Sequence, residues 1–268
     1  LREKSWLLRG LSKPSSFPLP IFVPTAMLTA RLAPHFSKIM KKQKLNPTPN
    51  MKLLHIIATT RGENSRTLSI SREFLRELKD KHPDVQVDEL DLSTTVLPPV
   101  LDTNVNAKYI MMMGGQLDEQ TQASWKKVTE LAEHFISYDL FLITAPMWNF
   151  SIPYMLKHYI DVIMQAGILF SFTAHGPQGL MKYEKMVCIT SRGSDYSPGS
   201  PIHELDFQEP YLRAIFGLAG IEEIHFVHAQ PMDMAPGLTQ DALEKAREEA
   251  RQMVGKLAVG VESFRQLN

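Results

Sequence analysis

A single cysteine, Cys188, is the only thiol in the 268-residue chain. An internal disulfide is therefore excluded, and so is any paired-cysteine zinc site. Net charge is missing as well: 29 basic residues balance 29 acidic ones, so no overall electrostatic footprint for nucleic acid shows. The glycine-rich signatures are absent. No G-x-G-x-x-G follows the first strand-like run and no G-x-x-x-x-G-K-[ST] occurs, which excludes a dinucleotide Rossmann fingerprint and a P-loop. No G-x-S-x-G elbow and no H-E-x-x-H helix is present, so a hydrolase reading has no nucleophile motif behind it. The nine histidines are scattered without ligand spacing. His134 and His158 read as surface or interface residues rather than metal ligands. What remains is 44% hydrophobic and 22% charged residues, enough apolar material for a sizeable globular core.

The balanced charge conceals an asymmetry. Residues 1–50 hold nine of the 29 basic residues and one acid, Glu3, a net of +8 against −8 for the rest. They also hold seven of the 18 prolines. Met51 then opens a clean hydrophobic run, which places a boundary near residue 50. The basic, proline-containing leader is expected to be disordered or not native. A transit peptide, a mis-set start with Met51 as first residue, and a basic tail are its three readings. Its apolar stretch, Phe17 to Ala30, is interrupted by Pro18, Pro20 and Pro24 and is too short to span a bilayer. No other segment approaches the ~18 apolar residues of a membrane helix. The expectation is a cytoplasmic protein with neither membrane nor nucleic-acid partners.

From residue 51 to 268 strand and helix signals alternate. Leu53–Ile57, Leu140–Ile143 and Met186–Ile189 are short, nearly continuous apolar runs. Val85 to Leu90 and Ile221 to His228 are more mixed. Leu68, Phe74, Leu75 and Leu78 share one helical face, with Asn64 or Ser65 able to cap its start. A polar connection carrying Pro98 and Pro99 follows the second strand. Further helices are expected at about Asp118 to His134, Pro153 to Gln165, Tyr211 to Leu218 and Leu238 to Phe264. This alternation predicts an α/β fold with a parallel sheet. Strands apolar on both faces belong at the centre of such a sheet and mixed ones at its edges. The flavodoxin-like three-layer sandwich, with five parallel strands in the order 2-1-3-4-5, has that arrangement. It expects a ligand beyond the carboxyl ends of strands 1 and 3.

Three loops leave the ends of strands 1, 3 and 4, which are neighbours in that order. The first, Ala58 to Thr67, is rich in hydroxyls, carries Arg61 and Arg66, and runs into a helix start. Amides, helix dipole and hydroxyl donors there suit a phosphate, although a plain cap by Asn64 or Ser65 is the alternative. The second, Ala145 to Pro153, is apolar where loops are usually polar. Met147 and Trp148 are suited to cover a planar ring and Asn149 to bond its polar edge, or the loop packs under the next helix. The third contains Ser191, Arg192, Gly193 and Ser194. Gly193 permits close backbone approach and Arg192 brings positive charge, or Gly193 simply permits a turn. Together the three loops fit a phosphorylated planar cofactor.

Residues 51–268 resemble the FMN-dependent NADH-azoreductases, flavodoxin-like relatives of the NAD(P)H:quinone oxidoreductases. The resemblance is carried by Ala145-Pro146-Met147-Trp148-Asn149-Phe150, by Gly176-Pro177-Gln178-Gly179-Leu180 and by Ile189-Thr190-Ser191-Arg192-Gly193, in that order. It implies that Asn64, Ser65, Arg66 and Thr67, with Thr60 or Arg61 nearby, hold the phosphate of a tightly bound FMN. It further implies that Pro146, Met147, Trp148, Asn149 and Phe150, together with Ser191, Arg192, Gly193 and Ser194, hold the isoalloxazine. The chain departs from the family pattern at Trp148, where Tyr is frequent, at Ser194, where a second Gly is common, and at Arg66 and Thr67 in a stretch usually richer in Ser.

The implied activity is a two-electron ping-pong transfer from NADH or NADPH to quinones and azo compounds, with the chemistry borne by the flavin and no protein nucleophile or general base. Gly193 and Asn149 are the candidate donors to the reduced ring. The resemblance also implies a homodimer with each flavin at the interface. Phe170 and Phe172 are expected to line the substrate face or that interface, or to pack a short extra hairpin. Met111, Met112 and Met113 read as an adaptable apolar wall or as helix packing. A flavodoxin-like electron carrier without direct NAD(P)H oxidation is the alternative function.

Overall fold

A computed structural model of the chain describes residues 51–112, 115–182 and 184–266. The leader expected over residues 1–50 and Met113 lie outside the described residues.

The apolar runs become strands. β1 (Lys52–Ile57), β2 (Gln86–Asp91) and β3 (Leu140–Thr144) form three strands of a five-stranded sheet. β6 (Lys185–Ser191) and β7 (Glu223–Ala229) complete it, and every pairing in it is parallel. Between β3 and β6 the chain forms a separate antiparallel pair, β4 (Phe170–Thr173) and β5 (Gly176–Gly179). The order along the main sheet is therefore β2-β1-β3-β6-β7. The expected 2-1-3-4-5 is not matched strand for strand, because the hairpin interrupts the numbering. Pro177 has no N–H to give to a central ladder, so β5 pairs only with its own hairpin partner at the margin.

The helices are α1 (Arg66–Lys81), α2 (Asp102–Met112), α3 (Glu119–Ile136), α4 (Tyr154–Ile163), α5 (Glu209–Ala219) and α6 (Pro236–Gln266). α2 lies within the polar connection that follows Pro98 and Pro99 and is not among the helices expected from sequence. Side chains of the central strands alternate between two cores, as a strand period of two requires. Leu142, Val187 and Ile189 face Phe74 and Leu78 of α1 and Ala246 and Val254 of α6. Phe141, Ile143 and Cys188 face Phe135 of α3, Tyr159 of α4 and Phe216 of α5. Phe135 stacks on Phe141 with centroids 4.2 Å apart and on Phe216 at 5.9 Å. Each such fully buried ring stabilises the fold by roughly 1.5–3 kcal/mol. Burial also pushes the Cys188 thiol well above its ordinary range, so the lone thiol is inert.

The hairpin is locked to the end of α5 by two glycines. Gly220 ends the helix in the left-handed region, at φ 102°. A Cβ at Gly179 would collide with the Gly220 backbone, and one at Gly220 with the Met181 carbonyl. The Gly-Pro-Gln-Gly-Leu motif is thus explained at its second glycine by backbone-to-backbone contact.

Candidate functional site

Register brings the loops together. Ile57 lies beside Thr144, Thr144 beside Ile189, and Ser191 beside Ala229. The segments that follow β1, β3, β6 and β7 therefore leave one edge of the sheet at one level. Hydrogen bonds then tie them. Ala58 N–H donates to Thr144 O at 2.8 Å, Ala145 N–H to Ile189 O at 3.1 Å, and Met147 N–H to Ser191 O at 2.8 Å. The Thr67 and Ser191 hydroxyls meet at 2.6 Å, which joins the start of α1 to the loop after β6.

In the first loop Thr60, Arg61 and Asn64 are exposed, and a single 3-10 turn spans Gly62–Asn64. Ser65, not Asn64, caps α1: its Oγ accepts from Leu68 N–H at 3.2 Å. The amides of Arg66 and Thr67 lie in the first turn, where no intrahelical carbonyl can reach them. With the positive end of the helix dipole these amides favour negative charge nearby. Arg66 does not point freely into solvent. Its Nη1 donates to Met232 O at 2.9 Å and to Asp233 Oδ1 at 3.0 Å. Met232 and Asp233 in turn donate their backbone N–H groups to Gly193 O at 3.1 and 3.0 Å. The segment after β7 thereby straps the first loop to the third.

In the second loop Trp148 and Ser151 exchange both backbone hydrogen bonds, each at 2.9 Å. Asn149 and Phe150 between them take φ of 47° and 69°. Two successive left-handed residues form a tight primed turn. Asn tolerates that conformation, whereas Phe does so at a cost of roughly 1–2 kcal/mol. The strain is held by the surroundings: Phe150 O accepts from Phe207 N–H at 3.0 Å, and the Phe150 ring meets Tyr196 edge-on at 6.5 Å. The turn leaves Trp148 47% and Phe150 43% exposed. Pro146 and Met147 are half-buried beneath them.

In the third loop Ser191, Gly193 and Ser194 are half-buried. Arg192 is 2% exposed. Its Nη1 donates to Asp206 Oδ2 at 2.9 Å and its Nε to Gln208 Oε1 at 3.2 Å, while Nη2 is buried without a protein acceptor. Burial lowers the pKa of Arg192, against the opposing pull of Asp206. Behind this loop Thr190 Oγ1, His228 and Glu209 form a chain of two 2.7 Å contacts. The His228 hydrogen bond, reinforced by Arg213, holds the Glu209 carboxyl down at about 2.

Phe170 and Phe172 are not brought to this cluster. β4 pairs with β5, whose Gly179 abuts the C-terminus of α5, at the opposite end of the sheet. Phe170 is buried there and Phe172 is 37% exposed, with the two rings edge-on at 5.5 Å. His158 Nε2 donates to Pro98 O at 2.9 Å, and His134 Nε2 meets Tyr138 OH at 2.9 Å. Sequence reasoning missed Asp206, Gln208 and Asp233; the only signal was a polar Asp-x-Gln directly before a helix. It also missed His55, buried in β1, where its Nε2 meets Thr144 Oγ1 at 2.7 Å.

A parallel five-stranded sheet whose strand order reverses at β1/β3, with helices packed on both faces, defines a flavodoxin-like α/β protein. Residues 51–254 match the model of the flavodoxin-like fold family. The chain is 36% identical over 210 residues to FMN-dependent NADH:quinone oxidoreductase 3 of Pseudomonas fluorescens, covering 77% of this chain and 97% of that protein. It is 36% identical to an FMN-dependent NADH:quinone oxidoreductase of Trichormus variabilis, covering 76% and 96%. Among solved structures, an azoreductase from Bacillus anthracis superposes with a TM-score of 0.71 at 28% identity, covering 77% of this chain and 99% of that one. An FMN-dependent NADH-azoreductase from the same species, in complex with FMN, superposes with a TM-score of 0.69 at 25% identity, covering 78% and 99%. The chain belongs to the flavodoxin-like family of FMN-dependent NADH:quinone oxidoreductases and azoreductases.

Proposed function

We propose that this chain is an FMN-dependent oxidoreductase that uses NADH or NADPH to reduce quinones and azo compounds by a two-electron, ping-pong route. One observation carries the reading. Three loops of different chemistry, one hydroxyl-rich at a helix start, one aromatic and one glycine-containing, are hydrogen-bonded together at one end of the sheet through Thr67, Ser191 and Met147. The residues present fit FMN. The Arg66 and Thr67 amides, with the Ser65, Thr60 and Asn64 side chains and Arg61 near them, would hold the phosphate. Pro146, Met147, Trp148, Asn149 and Phe150 would flank the ring on one side and Ser191, Arg192, Gly193 and Ser194 on the other. The buried, unpaired Arg192 Nη2 supports this fit, because a polar group left without a partner is costly until an acceptor arrives.

Bound FMN would accept a hydride and return two electrons to the acceptor. The protein binds and orients: backbone N–H groups of Asn149 and Gly193 are the donors that would favour negative charge on the ring. The exposed Trp148 and Phe150 give flat substrates an apolar surface. Phe172 reaches a site only across a subunit boundary, so we assign it, with Phe170 beneath it, to a homodimer interface beside the substrate face. Val100, Leu101, Tyr109 and Tyr154 are exposed apolar residues available to the same interface. Among the described residues no helix is long and apolar enough to cross a membrane.

The test is to purify the protein, record its visible spectrum, and assay NADH-dependent reduction of menadione and bleaching of an azo dye. A yellow protein active on both is expected. A colourless protein that FMN cannot reconstitute would remove the reading. An FMN-loaded protein that leaves NADH unoxidised would favour the electron carrier.

A further inference from the structure

The tripeptide Asp206-Phe207-Gln208, just ahead of α5, grips both loops that flank the ring side of the crevice. Asp206 Oδ2 accepts from Arg192 Nη1 at 2.9 Å. Gln208 uses both ends of its amide: Oε1 accepts from Arg192 Nε at 3.2 Å, and Nε2 donates to Ala145 O at 3.2 Å. Phe207 N–H donates to Phe150 O at 3.0 Å, the strained corner of the aromatic turn. The tripeptide is itself fixed, since Asp206 Oδ1 accepts from the N–H groups of Gln208 and Glu209 at 3.0 and 3.2 Å. Gln208 and Arg192 are 0% and 2% exposed. A buried guanidinium needs a paired carboxylate and satisfied hydrogen bonds to be tolerated, so this geometry admits little slack. Ala145 and Phe150 bracket the second loop, and Arg192 is the core of the third.

We propose that Asp206 and Gln208 are positioning residues for the flavin ring. Through Arg192 and Ala145 they set the spacing of the 145–151 and 191–194 loops, and hence how tightly the ring is held and how easily it is reduced. The inference rests on the FMN reading above. Among the described residues the side-chain hydrogen bonds that Asp206 and Gln208 make to the crevice loops run to Arg192 and Ala145, in the two ring-side loops, so the clamp acts first on the ring rather than on the phosphate.

Riboflavin, which lacks the phosphate, separates the two. The full chain and the variants Asp206→Asn and Gln208→Glu are titrated with FMN and with riboflavin by flavin fluorescence, at a temperature where circular dichroism shows each apo-protein folded. The flavin midpoint potential is measured for each. Asp206→Asn keeps the helix-capping oxygen but turns an amide nitrogen toward Arg192. Gln208→Glu keeps the acceptor for Arg192 and loses the donor to Ala145; it carries the test alone should Asp206→Asn not fold. The expected result is at least a tenfold rise in Kd for both flavins, an unchanged riboflavin-to-FMN ratio of Kd values, and a shifted potential. Unchanged flavin affinity in a folded variant, an unchanged potential, or a ratio that moves with the affinity would overturn the proposal. Wild-type protein that binds neither flavin would instead overturn the cofactor reading, and this inference with it.

Discussion

Phe150 shows how a single residue can work against local preference. Its φ of 69° belongs to a region that side chains with a Cβ avoid, and nothing in an Asn-Phe pair announces a primed turn, which favours Asn-Gly. The composition of the second loop was legible as unusually apolar. Its conformation was not, because the bonds that hold it come from Ser151 and from distant Phe207. Phe150→Gly is expected to leave thermal stability within about 1 kcal/mol of wild type, as relieved strain offsets added backbone entropy. The same change should lower menadione reduction several-fold. A large loss of stability, read by thermal melts, would show that the turn is not strained. Glu209 gives a prediction in pH. Its carboxyl lies at about 2 in the folded protein, held there first by the His228 hydrogen bond, against an ordinary 4.5. A depressed folded-state value stabilises the protein above the unfolded one and loses that contribution as protons bind. Stability should therefore fall as pH drops from about 4.5 toward 2, and Glu209→Gln should flatten that part of a urea-denaturation profile.

Among the elements, the ones buried on both faces were the readable ones. β1, β3 and β6 appear in the sequence as nearly continuous apolar runs because both sides of each strand meet a core. His55 sits inside such a run and gives no sign of its buried partner Thr144, 89 positions away. α2 is poorly legible in the sequence because its segment, Asp102–Met112, follows two prolines and shows little apolar periodicity. The hairpin was legible as a motif, but not as a device that renumbers the sheet. Its attachment makes a sharp prediction: Gly179→Ala should cost about 2–3 kcal/mol by forcing backbone apart from backbone. Urea midpoints test this, and a neutral result would mean that the hairpin does not pack on the end of α5. At the start of α1, Ser65→Ala should cost about 1 kcal/mol through loss of the cap, and it should weaken FMN binding more than riboflavin binding.

For the molecule as a whole, fold class and the three loops could be read from sequence because both depend on local composition. The clamp at Asp206 and Gln208 and the strap at Asp233 could not, since they depend on which distant segments the sheet brings side by side. Assembly sits at this scale too. Exposed Tyr154 and Phe172 predict a dimer by sedimentation velocity, and Tyr154→Glu should shift it toward monomer and reduce quinone turnover with it. The central claim is that the crevice beyond β1, β3 and β6 receives FMN. Crystals grown with FMN test it most directly. The account predicts phosphate density at the Arg66 and Thr67 amides and the ring between the Trp148 turn and Gly193. Flavin bound elsewhere, or a crevice filled by the chain's own side chains, would contradict it.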